Sequence, residues 1–570
     1  MSKEFGSLRP SQLLYHFGPG SIVDMMDQSV MIMATDLWDT RYTPQEKDER
    51  IVRALGNGID HIKLLNEKPN TVKVRAREFP KWKICPKCNM MTNYKNKYCH
   101  FCKQEGEEVE LYPSRFVVAC NHGHIQDFPY MEWVHKNKAC TSDKPVLKLI
   151  RHGDSGSLSD LSVQCVKCKE KQSLGPIMKK GALQSIIKKC SGERPWIGDT
   201  EDCNETMETY LRGASNIYSP AVTSFLQIPL SEQNVDPLVE AVNENKKSLQ
   251  KAREKGEEKL SNIMEVLDFN ESDKEKIKKI LDREYDEEIT YESIRKQEWN
   301  TLIQGEIDDS HHTGYKSSVV DIHQEMKPYF SSIHKIESLP EIQVLQGFTR
   351  IEYLDPFEVS EQTDLISIMK NENTNWLPGI RNNGEGIFFQ FDEKKLKDWE
   401  RNKEHTKFTT DTIMRYNRQR DQLGYSILPI KSRHILLHTF SHALIKELAA
   451  YSGYSTTAIK ERIYCNDVMQ GVLIYTASGD SEGSLGGLIE QADPDKLFLI
   501  FIRALERMMY CSSDPNCSEG QFKYHSTANG AACHSCSYVS ETSCEWGNQL
   551  LDRRLLLNIN PGEDVGFFNI

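Results

Sequence analysis

The rhythm of apolar and polar positions changes several times along this chain, and each change marks an element. Leu8-Arg9-Pro10-Ser11-Gln12-Leu13 runs into Phe17-Gly18-Pro19-Gly20, turn chemistry ahead of the apolar pair Ile22-Val23, which predicts a docking segment and a first strand. No Lys-Ser or Lys-Thr follows these glycines, so the turn is not read as a phosphate loop. From Asp236 to Gly305 the pattern is helical and charged. Asp236-Pro237 suits N-cap and N1, Ser272 with Glu275 makes a capping box, and Thr290 can open a third helix. Two or three inserted surface helices with a solvated face are expected. Val319 to Ile430 mixes short β-like runs, Ile342 to Phe348 and Ile387 to Phe391, with polar helices. Around Ser432 the period sharpens: Ile435, Leu436, Phe440, Leu444 and Leu448 fall at helical spacing, with His434, His438 and His442 on an adjoining face. Val472-Leu473-Ile474-Tyr475 reads as a buried strand. The turn-rich Ser478-Gly479-Asp480 and Gly483 to Gly487 follow it, then a helix from about Pro494 to Tyr510.

Size and charge narrow the class. The 570 residues suffice for about three to four domains. A net charge of −12 argues against a uniformly basic coat but leaves room for local patches. The most apolar run, Leu497 to Leu505, is interrupted by Arg503 and falls short of the roughly 20 residues that cross a bilayer. Met1 to Pro10 has no signal-peptide core, so a cytoplasmic protein without a membrane role is expected.

In a reducing compartment, thiols in CxxC pairs serve metals more often than structural disulfides. Ten of the 16 cysteines lie between Cys85 and Cys203 and five between Cys511 and Cys544. Cys85-x2-Cys88 and Cys99-x2-Cys102 are paired knuckles, the arrangement by which four thiolates close a tetrahedron on Zn²⁺. A closed site leaves no place for water and is structural. Cys165-x2-Cys168 with Cys190 and Cys203 is the preferred second set, with Cys120, His122, His124 and Cys140 competing for places in it. The third draws four ligands from Cys511, Cys517, Cys533, Cys536 and Cys544, so about three structural Zn²⁺ sites are expected. His438 and His442 could also bind zinc, yet no further ligand follows at a metalloprotease-like offset, so their helix is read as packed or partner-facing.

Between Lys73 and Lys103 there are nine basic residues and one acid, Glu78. Aromatic residues are interleaved with them. Lys73, Arg75, Arg77, Lys81, Trp82, Lys83, Lys95 and Lys97 are therefore the candidate DNA contacts, cations tracking phosphates and ring faces stacking bases. The competing reading is a solubilising face around a small zinc-held core. No Gly-Lys-Ser or Gly-Lys-Thr is present, so the chain is no helicase motor, and no Gly-x-Ser-x-Gly elbow names a nucleophile.

Several motifs together resemble the DrmB family of the bacterial DISARM anti-phage system. They are Arg9-Pro10-Ser11-Gln12-Leu13 with Phe17-Gly18-Pro19-Gly20, Gly123-His124-Ile125-x-Asp127-Phe128-Pro129, Arg194-Pro195-Trp196, Arg212 to Asn216, His438 to Leu444, Gly483 to Leu488, and Ala532 to Cys536 with Glu541 to Glu545. The tail also resembles the zinc-binding domain that ends MrfA-type helicases, with Gly547-Asn548 and Leu551-Asp552 behind the cysteines. This likeness implies a subunit that partners a separate DrmA-like helicase and helps it engage foreign DNA, a DNA expected to have a single-stranded portion.

The resulting fold class is α/β mixed (α+β), multidomain, with several structural zinc modules and a helical insertion. Residues 1–80 form an N-terminal docking segment and first β region, and 81–215 a zinc-binding region with two cysteine-rich modules. A mixed region with the insertion (about 236–305) spans 216–345, an α+β linker region 346–430, and an MrfA-type zinc-binding domain 431–570. The expected function is non-catalytic: binding or recognition of foreign DNA beside a helicase. The alternative is a metal-dependent nuclease or hydrolase whose groups, such as His438, His442, Asp480 and Glu482, converge only on folding.

Overall fold

The computed structural model describes residues 4–569 except 27, 57, 69–71, 137, 154, 230–241, 243–244, 255, 268, 270–272, 275–276, 279–290, 352–364, 372, 477–485 and 521–527. Asp236-Pro237, the Ser272/Glu275 box, Thr290, the turn from Ser478 to Asp480, Glu482 and Gly483 to Leu485 lie outside the described residues. The chain forms two compact units, residues 1–224 with 343–380, and 225–342 with 381–570. The long strands Phe330–Thr349 and Trp376–Phe391 contribute to both.

The first unit is built from short strands, as befits a region whose turns are fixed by cysteines and glycines. A six-stranded sheet runs, in spatial order, Lys171–Ser173, Leu161–Cys165, Leu147–Arg151, Met90–Thr92, Lys83–Ile84 and Tyr112–Pro113. Smaller sheets join Ile22–Asp24, Ser29–Ile32 and Ala76–Glu78, and Ile125–Asp127, Phe116–Ala119 and Glu208–Leu211. The N-terminal segment is a short helix, Pro10–Tyr15, with Pro10 in its first turn. Gly20 follows it at φ +86°, where a Cβ would stand 2.5 Å from the Phe348 ring. Glycine is needed here on both counts. Its carbonyl is one of three that receive the buried Arg350 guanidinium, the others being Gly123 and Ile217.

The second unit is organised around a sheet in the order Ile307–Asp309, Tyr315–Val320, 330–342, 381–391, Gln470–Thr476, Ile459–Cys465. Gln470–Thr476 is buried at every position, the mark of a strand covered on both faces. The central helix Ser432–Ser452 packs on it and stops at Gly453, which takes the left-handed φ of +80°. All residues from Ile435 to Ile445 are buried, so this helix is enclosed on every side and the expected histidine face is interior. Asp493 caps the helix Pro494–Met509, whose buried stripe of Leu497, Ile500, Phe501, Ala504, Leu505 and Met508 leaves Arg503 on the outer face. Among the described residues no helix is long and apolar enough to cross a membrane.

Of the inserted helices, the last differs from the expectation of a solvated surface. Lys246–Glu254 and Glu257–Val266 share a small core of Leu249, Leu260 and Met264 with Val242 and Ile277. The helix Tyr291–Leu302 buries Glu298, whose carboxylate accepts two bonds from Arg462 (2.7 and 2.9 Å) and one from the Tyr464 hydroxyl (2.8 Å). Gly471 completes the fit, because a Cβ there would meet Trp299 at 2.7 Å.

Candidate metal centres and a basic strand

Among the described residues, every cysteine except Cys465 stands in one of five side-chain clusters of metal-ligating type, and none is in a disulfide. Cys85, Cys88, Cys99 and Cys102 form the first. The chain turns at Cys85-x2-Cys88 by donating the Asn89 N–H to the Cys85 carbonyl and the Cys85 N–H to Met90, with Asn89 at φ +59°. Sulfur pairs lie 3.7 Å (Cys85, Cys102) and 3.5 Å (Cys88, Cys99) apart. A disulfide would need about 2.05 Å. The edge of a tetrahedron whose corners are about 2.3 Å from a central Zn²⁺ is about 3.75 Å, so the donor set fits the ion.

The second preferred set, Cys165 and Cys168 with Cys190 and Cys203, does not assemble. Its members belong to two clusters, Cys120/His124/Cys190/Cys203 and His135/Cys140/Cys165/Cys168. The strand Phe116–Ala119 delivers Cys120, the turn through Gly123 at φ +85° returns His124, and the Cys120 and Cys190 sulfurs stand 3.7 Å apart. His124 Nδ1 is 3.3 Å from Cys120 Sγ, while its Nε2 is 2.7 Å from Glu201, which Arg194 also pairs. A carboxylate on the outer nitrogen leaves the inner one free to ligate. Gly123-His124 and Arg194-Pro195-Trp196 thus serve one site and its support: Trp196 is fully buried and donates to the Ser367 carbonyl at 2.9 Å. His122 is exposed and outside the cluster, 3.8 Å from Cys203.

In the other cluster His135 ends the helix Tyr130–His135, donates Nδ1–H to the Met131 carbonyl (2.8 Å) and points Nε2 at Cys168 Sγ (3.3 Å). Cys140 and Cys165 are 3.8 Å apart. Lys169 at φ +65° repeats the turn seen at Asn89. Burial raises the Cys165 pKa, but N–H groups of Cys168 and Lys167 together with His135 overcome it and hold the thiol at about 6. That favours the thiolate a metal requires. Sequence reading misses His135, although His135-x4-Cys140 is the available signal.

Cys511, Cys517, Cys533 and Cys536 make the cluster that follows the helix Pro494–Met509, with sulfurs 3.4 Å (Cys511, Cys533), 3.7 Å (Cys517, Cys536) and 3.8 Å (Cys533, Cys536) apart. Cys544 is not with them. It lies 3.1 Å from His438 Nε2, in the fifth cluster.

The candidate DNA residues divide. Lys73, Arg75 and Arg77 are exposed while Val72, Val74 and Ala76 turn inward, a period of two that the strand Ala76–Glu78 continues. Backbone bonds from Asp39 N–H to Lys73 (3.0 Å) and from Met33 N–H to Arg75 (2.9 Å) hold the row. Lys81 is exposed, and Trp82 is half-buried with its ring 5.4 Å from Tyr130. Lys83 is buried, pairs with Glu78 and donates to the Asn96 carbonyl at 3.0 Å, so it is turned away from any phosphate. Lys95 is exposed, whereas Lys97 pairs with Glu110 at 2.9 Å and Lys87 with Glu107. Four acids between Glu105 and Glu110 balance the knuckle, and over residues 73–110 nine bases face five acids, +4. In the row on the strand, Lys73 lies near Asp39 and Arg77 donates to the Pro195 carbonyl at 3.0 Å, so these charges are exposed but have neighbours of their own.

Comparison with known proteins adds relationships to this geometry. A family model described as the MrfA Zn-binding domain matches residues 440–537, which include Cys511, Cys517, Cys533 and Cys536. Another, described as a domain of unknown function (DUF8724), matches residues 9–219. The DISARM protein DrmB of Bacillus paralicheniformis is 33% identical over 576 residues, covering 96% of this chain and 99% of its own length.

Proposed function

Because the chain belongs to the family of the DISARM protein DrmB, we propose that it is a non-catalytic, zinc-stapled subunit of a bacterial anti-phage complex that docks a DNA helicase and presents a basic strand to DNA. Similarity along 96% of the chain carries this reading. The donor sets support a structural use of metal. Four thiolates, or three thiolates with an imidazole, fill a tetrahedron and leave no open position for a substrate. The likeness of residues 440–537 to a domain of MrfA supports the helicase side of the proposal. A subunit without a phosphate loop supplies in trans the module that such a motor carries in cis. His438 and His442, the histidines of the alternative hydrolase, are completely buried and meet no substrate from solvent.

On the DNA side the support is the row Lys73, Arg75 and Arg77, its alternate cations spaced about 6.8 Å apart where the backbone is extended, with Lys81 exposed beyond the strand. Replacing Lys73, Arg75 and Lys81 with Ala should weaken DNA binding by the full chain and reduce the slope of log K against log salt by about 0.9 for each duplex phosphate that is no longer neutralised. Unchanged affinity and slope remove the DNA role from this strand. Co-purification with the neighbouring helicase, with and without DNA, tests the docking role. Turnover of labelled DNA by the isolated chain with Mg²⁺ or Mn²⁺ restores the hydrolase.

A further inference from the structure

The fifth cluster differs from the others in its donors. His438 and His442 sit one turn apart on the central helix with no exposed surface, facing Glu461 of the strand Ile459–Cys465 and Cys544 of the C-terminal loop, 4% and 8% exposed. All four ligand atoms lie within 4.8 Å of one another. Only His442 and Glu461 fall inside the stretch that resembles a zinc-binding domain, whose cysteines are assembled elsewhere.

The hydrogen bonds decide where the lone pairs point. His442 Nδ1 is 2.8 Å from the Ser537 carbonyl, which can only accept, so Nδ1 carries the proton and Nε2 offers its lone pair, 3.4 Å from Glu461 Oε1. His438 Nε2 is 3.2 Å from the same oxygen and 3.1 Å from Cys544 Sγ. Glu461 is held from outside by the Glu545 N–H on Oε1 (3.0 Å) and the Ser441 hydroxyl on Oε2. Cys544 Sγ accepts the Asn548 N–H at 3.1 Å. Outer partners orient His442, Glu461 and Cys544, and the four ligand atoms converge on one buried point, an arrangement that positive charge at its centre stabilises. Nitrogen and oxygen ligands about 2.05 Å from a tetrahedral Zn²⁺ stand about 3.4 Å apart, against the 3.2 and 3.4 Å found.

We propose that His438, His442, Glu461 and Cys544 bind a Zn²⁺ ion in a closed centre that clamps the central helix, the strand Ile459–Cys465 and the C-terminal loop together. On binding, the Cys544 thiol releases its proton to solvent and the sulfur pair forms the Zn–S bond, with no change of oxidation state. Charge balance suits the burial of this donor set. One thiolate, one carboxylate and two neutral imidazoles cancel the ion, whereas a four-thiolate site keeps a net −2 that is costly to enclose. The proposal is independent of any role in DNA or helicase binding.

Zinc per folded full-length chain, measured by plasma mass spectrometry, should fall by one equivalent in His442→Ala and in Cys544→Ala relative to the unaltered chain. An unchanged count in either variant overturns the proposal. Should both variants fail to fold, anomalous diffraction at the zinc edge from crystals of the unaltered chain gives the answer. A peak between the four side chains supports the centre. Peaks at the cysteine clusters without one here overturn it and leave those clusters standing, and absence of every peak removes zinc from all five.

Discussion

Asn89 and Lys169 occupy the same place in two different knuckles, immediately after the second cysteine, and both take a left-handed backbone, φ +59° and +65°. Asparagine tolerates this region, but lysine is strained by about 1 kcal/mol or more. Lys169→Gly should therefore raise the unfolding midpoint in the metal-loaded state, and Asn89→Gly should raise it less, because glycine's greater unfolded-state freedom offsets more of the smaller gain. A thermal unfolding series orders the two. The knuckles are the most legible feature of the sequence because a CxxC spacing dictates its own local turn. Partner choice is not legible. Cys190 and Cys203 meet Cys120 and His124, about 70 to 80 residues away, because the strands Phe116–Ala119 and Glu208–Leu211 pair, a fact no spacing encodes. Lys83 is misread for a similar reason: an alternating count of charges does not say that Glu78 and the Asn96 carbonyl will claim one of them.

At the level of elements, periodicity identifies the central helix, the strand Gln470–Thr476 and the helix Pro494–Met509, each with boundaries near those observed. It fails on the environment of the helix Tyr291–Leu302. A run rich in Glu, Arg and Lys reads as solvated, but Arg462, the partner of Glu298, lies 164 residues further on. Glu298→Ala should cost about 3–5 kcal/mol in chemical unfolding, since it removes a buried carboxylate that accepts two bonds from Arg462 and one from the Tyr464 hydroxyl. Glu298→Leu combined with Arg462→Met should recover most of that stability, because an apolar pair of similar volume needs no counter-charge. Failure of the double variant to recover would mean that Tyr464 or Arg295 depends on the carboxylate as much as Arg462 does.

For the molecule as a whole, the resemblance in scattered motifs matches a relationship that spans almost the full chain, and the geometry places several of those motifs in or beside candidate metal-ligand clusters. Binding free energy of structural zinc is folding free energy, about 10 kcal/mol or more for small modules near neutral pH. Stripping metal with a chelator under reducing conditions should lower the unfolding midpoint, and Zn²⁺ but not Mg²⁺ should restore it. An unmoved midpoint would count against zinc as part of the fold.

Arg350 shows how far a single ion could reach. Burial pushes its pKa down to about 9, and it is lodged among the carbonyls of Gly20, Gly123 and Ile217 with Cys120 among the groups that favour its charged form. Three thiolates and an imidazole around Zn²⁺ carry a net −1, which would serve as the counter-ion of a cation seated on neutral dipoles. The turn at Gly20 is thereby linked, through Arg350, to a candidate metal cluster that begins at Cys120. Loss of metal from that cluster should therefore loosen the Gly20 turn, about 100 residues earlier in sequence, along with the cluster itself.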